Sequence, residues 1–480
     1  MSRFSLICLL LAGLLLGSAA RAPAVETPKG SGTAAQREDQ DLDRLPVAAP
    51  PPSSADVSPS ASGAANRQVY AEDALIVSGR RGDLAVPFPN AVAPSWEERL
   101  LADVRAKRSV ADRLRLAFSD RLNLRAERDL SFPSRQNVVN EFREGFLSWE
   151  PMDGFYIDAG RINLKSGAAL GFNPTDFFKT RAVIEPLSVD PSVLREDRLG
   201  TFMLQAQTIG RGSALTVAFA PWLARPEHAA PSGFDGSPGR TNAHTRLLIK
   251  GSIELSGDFS PELLFYREGG QNKFGANLSE TIGQRVVAYA EWAGGKRFNL
   301  AEAALSYGEE NGAVPSGSKG ILPDGSGLRW RNDLSIGASY TAGRKMTFNL
   351  EYHFHQAGFS GRNWSNWFRA GQNQPAASVA VGELWFVRAY AQDEEEPMAR
   401  QAVFLRMDWV DAFVSDLEIT GLVNTDVYDG SSLVQLGGDY YLSSEWTVGM
   451  QASANLGSKR SDFGSLPQAA GILFKIRRYF

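Results

Sequence analysis

The feature that most constrains this chain is a two-residue rhythm that recurs from about residue 113 to the last residue. In 345–355, Met346, Phe348, Leu350, Tyr352 and Phe354 fall on one face, and Lys345, Thr347, Asn349, Glu351, His353 and His355 on the other. Successive side chains of a strand point to opposite faces, so a period of two marks β-structure. In 445–456, Trp446, Val448, Met450, Ala452, Ala454 and Leu456 oppose Glu445, Thr447, Gln451, Ser453 and Asn455. In 246–255, Leu247, Ile249, Ile253 and Leu255 oppose Arg246, Lys250, Ser252 and Glu254. In 113–126, Leu114, Leu116, Phe118, Leu122 and Leu124 oppose Arg113, Arg115, Arg121, Asn123 and Arg125, with Asp120 interrupting the apolar stripe. The second face is polar and richly charged, which suits a wet interior and not a dry core.

Hydrophobic residues make up 43% of the chain, yet beyond the N-terminus no run approaches the roughly 18 apolar residues of a membrane helix. A barrel can cross a membrane with such a composition, because only alternate residues meet lipid. Trp292, Tyr340, Trp409, Tyr440 and Trp446 close the apolar stripes, as an interfacial aromatic girdle does. The expected fold is therefore all-β, a transmembrane antiparallel β-barrel of 16–18 strands preceded by a disordered periplasmic segment. Strand candidates lie near 113–127, 138–150, 155–163, 199–210, 213–221, 244–256, 259–268, 273–282, 284–294, 298–307, 329–341, 344–355, 383–392, 400–410, 416–427, 431–442, 445–457 and 468–480. Short turns and long loops should alternate between the two rims. This count puts 164–198 and 222–243 on the long-loop side but 308–328 and 356–382 on the other, so it contains an error in the middle.

The ends divide the rest. Residues 1–24 read as a signal peptide: a basic start, an apolar stretch from Phe4 to Gly17, then small residues around Ala20 to Ala24. The one cysteine, Cys8, lies in that stretch, so no disulfide framework is expected in the mature chain. Residues 25–94 read as a disordered or extended Pro/Ala-rich linker with little to bury. In 95–112, a capping-box pattern at Ser95 and Glu98 and the spacing of Trp96, Leu100, Leu101 and Val104 predict a short helix. The barrel is expected over 113–480.

In the last strand Ile472, Phe474 and Ile476 alternate with Leu473, Lys475 and Arg477, and the chain ends in Phe480. This resembles the C-terminal strand that Gram-negative outer-membrane barrels of the porin and export-channel type present to their assembly machinery. Arg478 stands where that pattern has an aromatic. The resemblance implies outer-membrane lipid, lipopolysaccharide and the barrel-assembly machinery as partners. The length and the Arg-Tyr-Phe ending also resemble alginate-export-type barrels. Glu72 to Gly79 resembles the energy-coupling box of TonB-dependent receptors, but only about 33 residues separate it from the first strand candidate, too few for a plug domain.

A barrel of this size leaves an aqueous channel unless something fills it, which points to passage of a polar or charged solute or a polymer. Two sets of residues could narrow it. Arg113, Arg115, Arg121 and Arg125 share one strand face and could guide anions or pair with wall carboxylates. The stretch 164–198, with Asn173-Pro174-Thr175-Asp176-Phe177-Phe178 and Asp190-Pro191, is rich in turn formers and reads either as a loop folded into the channel or as one packed on the rim. It supplies Asp176, Lys179, Arg181, Arg195 and Arg198 as candidates. His353 and His355 share a face, but paired inward histidines are more often polar lining than a metal site. No G-x-S-x-G motif surrounds any serine, so His228, His244, His353 and His355 gain no catalytic context. No enzyme activity, cofactor or metal is expected. With a net charge of −4, no nucleic-acid partner is either.

Overall fold

The computed structural model describes residues 66–89, 95–127, 138–183, 188–227, 234–255, 259–318, 321–322, 327–343 and 345–480. The signal peptide expected at 1–24, most of the linker and His228 lie outside the described residues. The chain divides into two units, 1–43 and 44–480, and every described residue belongs to the second.

Eighteen strands form the wall: β1 (Asn66–Arg80), β2 (Trp96–Ala111), β3 (Leu114–Glu127), β4 (Val138–Met152), β5 (Phe155–Ile162), β6 (Thr201–Gly210), β7 (Ser213–Ala220), β8 (Arg246–Ile253), β9 (Glu262–Glu268), β10 (Gln271–Ile282), β11 (Val286–Arg297), β12 (Arg329–Ala342), β13 (Met346–His355), β14 (Gln401–Trp409), β15 (Leu417–Asp426), β16 (Ser432–Tyr441), β17 (Trp446–Leu456) and β18 (Gln468–Tyr479). Each pairs antiparallel with its neighbours in sequence, and β18 closes on β1 from Tyr70↔Tyr479 to Arg80↔Gln468. Closure matters because lipid offers no partner for the amides of an open edge. A two-residue strand, Phe234–Asp235, lies parallel to β4.

Exposure along the wall is inverted relative to a soluble protein. On β13, Leu350 is 56% exposed, while Glu351 and His353 are 1% and 2% exposed. The apolar face looks outward and the charged face inward, as alternation in a membrane barrel requires. Exposed aromatics collect at both rims: Trp149, Tyr340, Tyr440 and Trp446 at one, Trp222 and Trp330 at the other. Asp120, which interrupts the outer stripe of β3, sits at a bulge in the β3–β4 pairing and accepts a hydrogen bond from Asn140 at 2.9 Å. Ile472, Phe474 and Ile476 point outward on β18. The guanidinium of Arg478 lies 5.3 Å from the Trp446 ring and 5.0 Å from the Phe480 ring, so cation–π contact holds it where an aromatic was expected.

The strand number falls in the expected range, but four segments differ from expectation. The helix expected over 95–112 is β2. Leu100 and Leu101 straddle the two faces, Leu101 inward at 1% exposure, and that adjacency mimics helical spacing. The linker expected over 25–94 contains β1, so the wall starts near residue 66 and not at 113. The Glu72 to Gly79 stretch is hydrogen-bonded to β18 on one edge and β2 on the other, which removes it as a free coupling box. Conversely, the strands expected at 298–307 and 383–392 are helices. Among the described residues the α-helices are α1 (Pro191–Glu196), α2 (Leu300–Glu310), α3 (Gly361–Gly371) and α4 (Val379–Asp393). Asn299 and Ser378 cap α2 and α4 with their side chains, and α2 is rich in Ala, Leu and Glu. These exchanges cure the rim error: 163–200, 221–245, 298–328 and 356–400 now leave the same rim. The turns 112–113, 153–154, 211–212 and 343–345 lie at the other, together with Asn66 and Phe480.

Candidate functional site

The connection from β5 to β6, residues 163–200, folds into the barrel and touches walls on several sides. The backbone amide of Ala169 donates to Glu291 on β11 at 2.6 Å. Those of Leu170 and Gly171 donate to Glu351 on β13 at 2.6 and 2.9 Å. Thr175 donates to Asn277 on β10 at 2.7 Å, and Ser335 on β12 donates to the Phe172 carbonyl. Phe177 stacks on Tyr266 of β9 with ring centroids 4.7 Å apart. Farther along, Asp190 pairs with Arg406 on β14 at 3.3 Å. Glycine makes the approach possible: a Cβ on Gly167, whose φ is +83°, would lie 2.4 Å from the Glu291 carboxylate, and one on Gly171 would lie 2.6 Å from His353.

The returning end of this loop is clamped by arginines. Asp103 on β2 and Asp197, at the end of α1, share three of them. Arg121 bonds Asp103 at 3.0 Å and Asp197 at 2.9 Å. Arg143 bonds them at 2.7 and 3.1 Å, and Arg105 at 3.4 and 2.9 Å. Tyr70 of β1 donates to Asp103 and accepts from Arg121, each at 3.1 Å. Burial pushes the Asp197 carboxyl up, but Arg121, Arg143 and Arg105 outweigh it and hold it below its usual value. Three cations and two carboxylates, of which Asp103, Arg121 and Arg143 are buried, form an electrostatic clasp whose partial removal leaves buried charge stranded.

The sequence candidates divide accordingly. Arg121 faces inward and belongs to the clasp. Arg125 is inward and buried, beside Glu127 at 3.7 Å. Asp176 receives both Nη atoms of Arg198 at 3.0 and 3.1 Å, with Arg195 at 3.6 Å. Arg195 also donates to the Ser166 and Gly167 carbonyls at 2.9 Å. Lys179 donates to the Asn173 carbonyl at 3.0 Å, and burial lowers its pKa. Arg181 pairs with Glu268 at 3.4 Å and Glu394 at 3.5 Å. Arg113 and Arg115 do not join this group. Arg113 has φ +63° in the β2–β3 turn and pairs with Asp153, and Arg115 pairs at 3.8 Å with Glu150. They lie at the short-turn rim because β3 begins there, Arg113 in the turn before it and Arg115 at its start. Asp103, Arg143, Asp197, Glu291 and Glu351 were not among the sequence candidates. For the four on strands, inward parity was the available signal; for Asp197 there was none.

A second assembly covers the long-loop side. α2, α3 and α4 bury Leu305, Phe359, Trp364, Trp367, Leu384 and Trp385 against Val86 of the β1–β2 connection. Trp385 donates to the Pro87 carbonyl at 2.7 Å. Arg388 lies 4.9 Å from the rings of both Trp364 and Trp367, and donates to Asp462 at 3.2 Å and Ser465 at 2.8 Å in the β17–β18 connection. At the far end of α4, the Asp393 carboxylate accepts from Arg240 at 2.7 Å, and its carbonyl accepts from the Arg181 amide at 2.6 Å. α4 thus joins connections beside β1 and β18 to those beside β5 to β8, on another part of the rim.

His353 and His355 share a face but serve different partners. His353 meets Glu351 at 2.7 Å. His355 meets Asp333 at 2.9 Å through Nδ1 and Glu396 at 3.5 Å through Nε2. The donor atoms of Asp333, His355 and Glu396 lie within 4.8 Å of one another, a spacing that could hold a cation. Arg297 already bonds both carboxylates, so a dication would have to displace a guanidinium.

No protein-family model and no curated relative matches the sequence. Solved structures that align over 87% of this chain and 100% of their own include two mutants of Rhodopseudomonas blastica porin, each 10% identical, with TM-scores of 0.39 and 0.38. Another, described as "Asymmetric conductivity of engineered proteins", is 11% identical with a TM-score of 0.38. The strand pairing establishes the barrel independently of these.

Proposed function

We propose that the protein is an outer-membrane channel that passes small polar or charged solutes. The observation that carries this is a closed wall of eighteen strands with lipid-compatible side chains outside and a charged interior crossed by 163–200. A barrel of this circumference has room for an aqueous path, and a charged loop across it selects which solutes take that path. The signal-peptide pattern supports export, and the short-turn rim, where Asn66 and Phe480 lie, is placed on the periplasmic side. The outward apolar band would then meet lipid, the long-loop rim lipopolysaccharide, and the terminal strand the barrel-assembly machinery. The roles of Arg121, Arg125, Asp176, Lys179, Arg181, Arg195 and Arg198 along the path belong to this proposal.

The test is single-channel recording of the purified full-length protein in planar bilayers. Discrete, stable conductance steps are expected. A silent protein that inserts as a folded barrel, and that conducts only once residues 361–393 are removed, would replace an open channel with a gated one.

A further inference from the structure

The outer face of β9 to β12 changes character where it reaches the long-loop rim. Phe265 on β9, Phe274 on β10, Trp292 on β11 and Trp330 on β12 point outward there in adjacent register. The ring centroids of Phe265 and Phe274 lie 5.6 Å apart, and those of Phe274 and Trp330 lie 6.2 Å apart and stacked. Gly294 leaves the space that the two indoles fill: a Cβ there would lie 2.6 Å from the Trp292 ring and 2.9 Å from that of Trp330. An interfacial tryptophan ordinarily turns its N–H toward the headgroups. Here both indoles donate to Asn332 Oδ1, at 3.2 and 3.0 Å, and the Asn332 amide donates in turn to Gln356 at 3.2 Å. The rings are thereby fixed as an apolar platform with their polar atoms already satisfied.

Two cations stand over this platform on its rim side. Arg267 follows Phe265 on the outer side of β9, and Lys296 follows Gly294 on the outer side of β11, where it pairs with Trp330. Both are exposed, and among the described residues neither has a carboxylate within ion-pair distance. They are two strand spacings apart, about 10 Å. The short-turn rim is built differently: Arg478 there lies against the Trp446 and Phe480 rings and has Glu445 at 4.0 Å. Cations without partners beside a lipid-facing apolar surface suit a ligand with a phosphate head and hydrocarbon below it.

We propose that this face is a docking site for lipopolysaccharide, its phosphorylated sugar head held by Arg267 and Lys296 and its acyl chains laid on Phe265, Phe274, Trp292 and Trp330. The site rests on the placement of the long-loop rim at the cell surface and gives the glycolipid contact of that rim a definite position. Arg267 offers phosphate a two-pronged fork and Lys296 a point charge. The platform adds affinity because rings already fixed by Asn332 lose little freedom on binding. The site lies on the lipid side of the wall, so its occupancy is separable from passage through the bore.

The experiment is native mass spectrometry of the full-length protein in detergent, titrated with deep-rough lipopolysaccharide. A saturable adduct is expected, with the dephosphorylated glycolipid at least about tenfold weaker, the scale of a lost charge-assisted bond. Arg267→Gln with Lys296→Gln should lose about tenfold or more in affinity for the phosphorylated form. Arg267→Lys with Lys296→Arg should keep most of it, and Lys345→Gln, at the opposite rim in the β12–β13 turn, should change nothing. Trp330→Ala should weaken the phosphorylated and dephosphorylated forms alike, because it removes part of the apolar platform. Heat-modifiable gel mobility reports whether each variant is a folded barrel. Should the double Gln variant not fold, each single Gln variant must show a loss. Equal binding of the two glycolipid forms, an unchanged affinity in the folded Gln variants, or equal affinity for phosphatidylglycerol overturns the site. Phosphate-dependent binding by a folded protein that never conducts in planar bilayers overturns the channel reading and leaves the site standing. Conductance without phosphate-dependent binding does the reverse.

Discussion

The infolded loop and the helical cap leave the same rim but are held by different physics. Residues 163–200 carry little apolar core of their own apart from Phe172, Phe177 and Phe178. They are pinned by charge and hydrogen bonds: Asp197 among three arginines, Asp176 in the fork of Arg198, backbone amides on Glu291 and Glu351. The cap is a small hydrophobic core, with Trp364, Trp367, Phe368 and Trp385 packed around α3 and α4, one ion pair, Arg388 to Asp462, against its aromatic rings and another, Arg240 to Asp393, at the end of α4. A polar anchor is directional and fails when one partner is lost. An apolar core is non-directional and fails by degrees with the volume removed. The loop is therefore held firmly at a few polar points, whereas the cap would loosen by degrees without dismantling the wall.

The largest effect should come from replacing residues 361–393 by a short Gly/Ser linker. Unit conductance is expected to rise several-fold with the barrel intact on gels; an unchanged conductance would mean that the cap does not cover the path. Next, Arg198→Ala takes both close hydrogen bonds from buried Asp176 and leaves it only the 3.6 Å contact to Arg195. About 3–5 kcal/mol of stability should be lost, read by denaturant unfolding. The joint change Arg198→Met with Asp176→Leu should cost far less. If the single and double changes cost the same, the loop is held by packing and not by charge. Trp367→Ala, at a fully buried position, should destabilise the cap by about 3–5 kcal/mol. Amide exchange should quicken in α3 and α4 while β10 to β13 stay protected. Exchange that quickens equally in both regions would show a single cooperative unit.

The smallest effect is a dependence on pH. Burial raises the Glu394 carboxyl to about 7 against the opposing pull of Arg181, and raises that of Asp462 to about 6 against Arg388. Both folded pKa values lie above the usual carboxylate range. Their contribution to stability is therefore complete below about pH 4 and is lost as pH rises through 6 to 7. Amide exchange in α4 should be slower at pH 5 than at pH 8, and Glu394→Gln should flatten that difference. The opposite slope would mean that the Arg181 pair, not burial, governs this end of the cap.

How much of this was legible in the sequence depends on range. The alternation on β13 or β17 is local and survives in any context. The outer stripe, the terminal strand and the inward Arg121 and Arg125 could be read directly. β1 and β2 escaped because Asp73 lies on the outer face and Leu101 on the inner, each breaking the rhythm of its strand. α2 and α4 read as strands because short apolar runs look alike in helix and sheet when both faces are buried. The turn formers in 163–200 foretold a shaped loop but not its direction.

The sequence by itself therefore determined most of the wall: period two, polarity and aromatic rims are properties of neighbouring residues. Only the tertiary structure decided what enters the bore. The partners that draw the loop inward, Asn277, Glu291, Ser335 and Glu351, lie on strands roughly a hundred or more residues along the chain, and closure alone brings them opposite it.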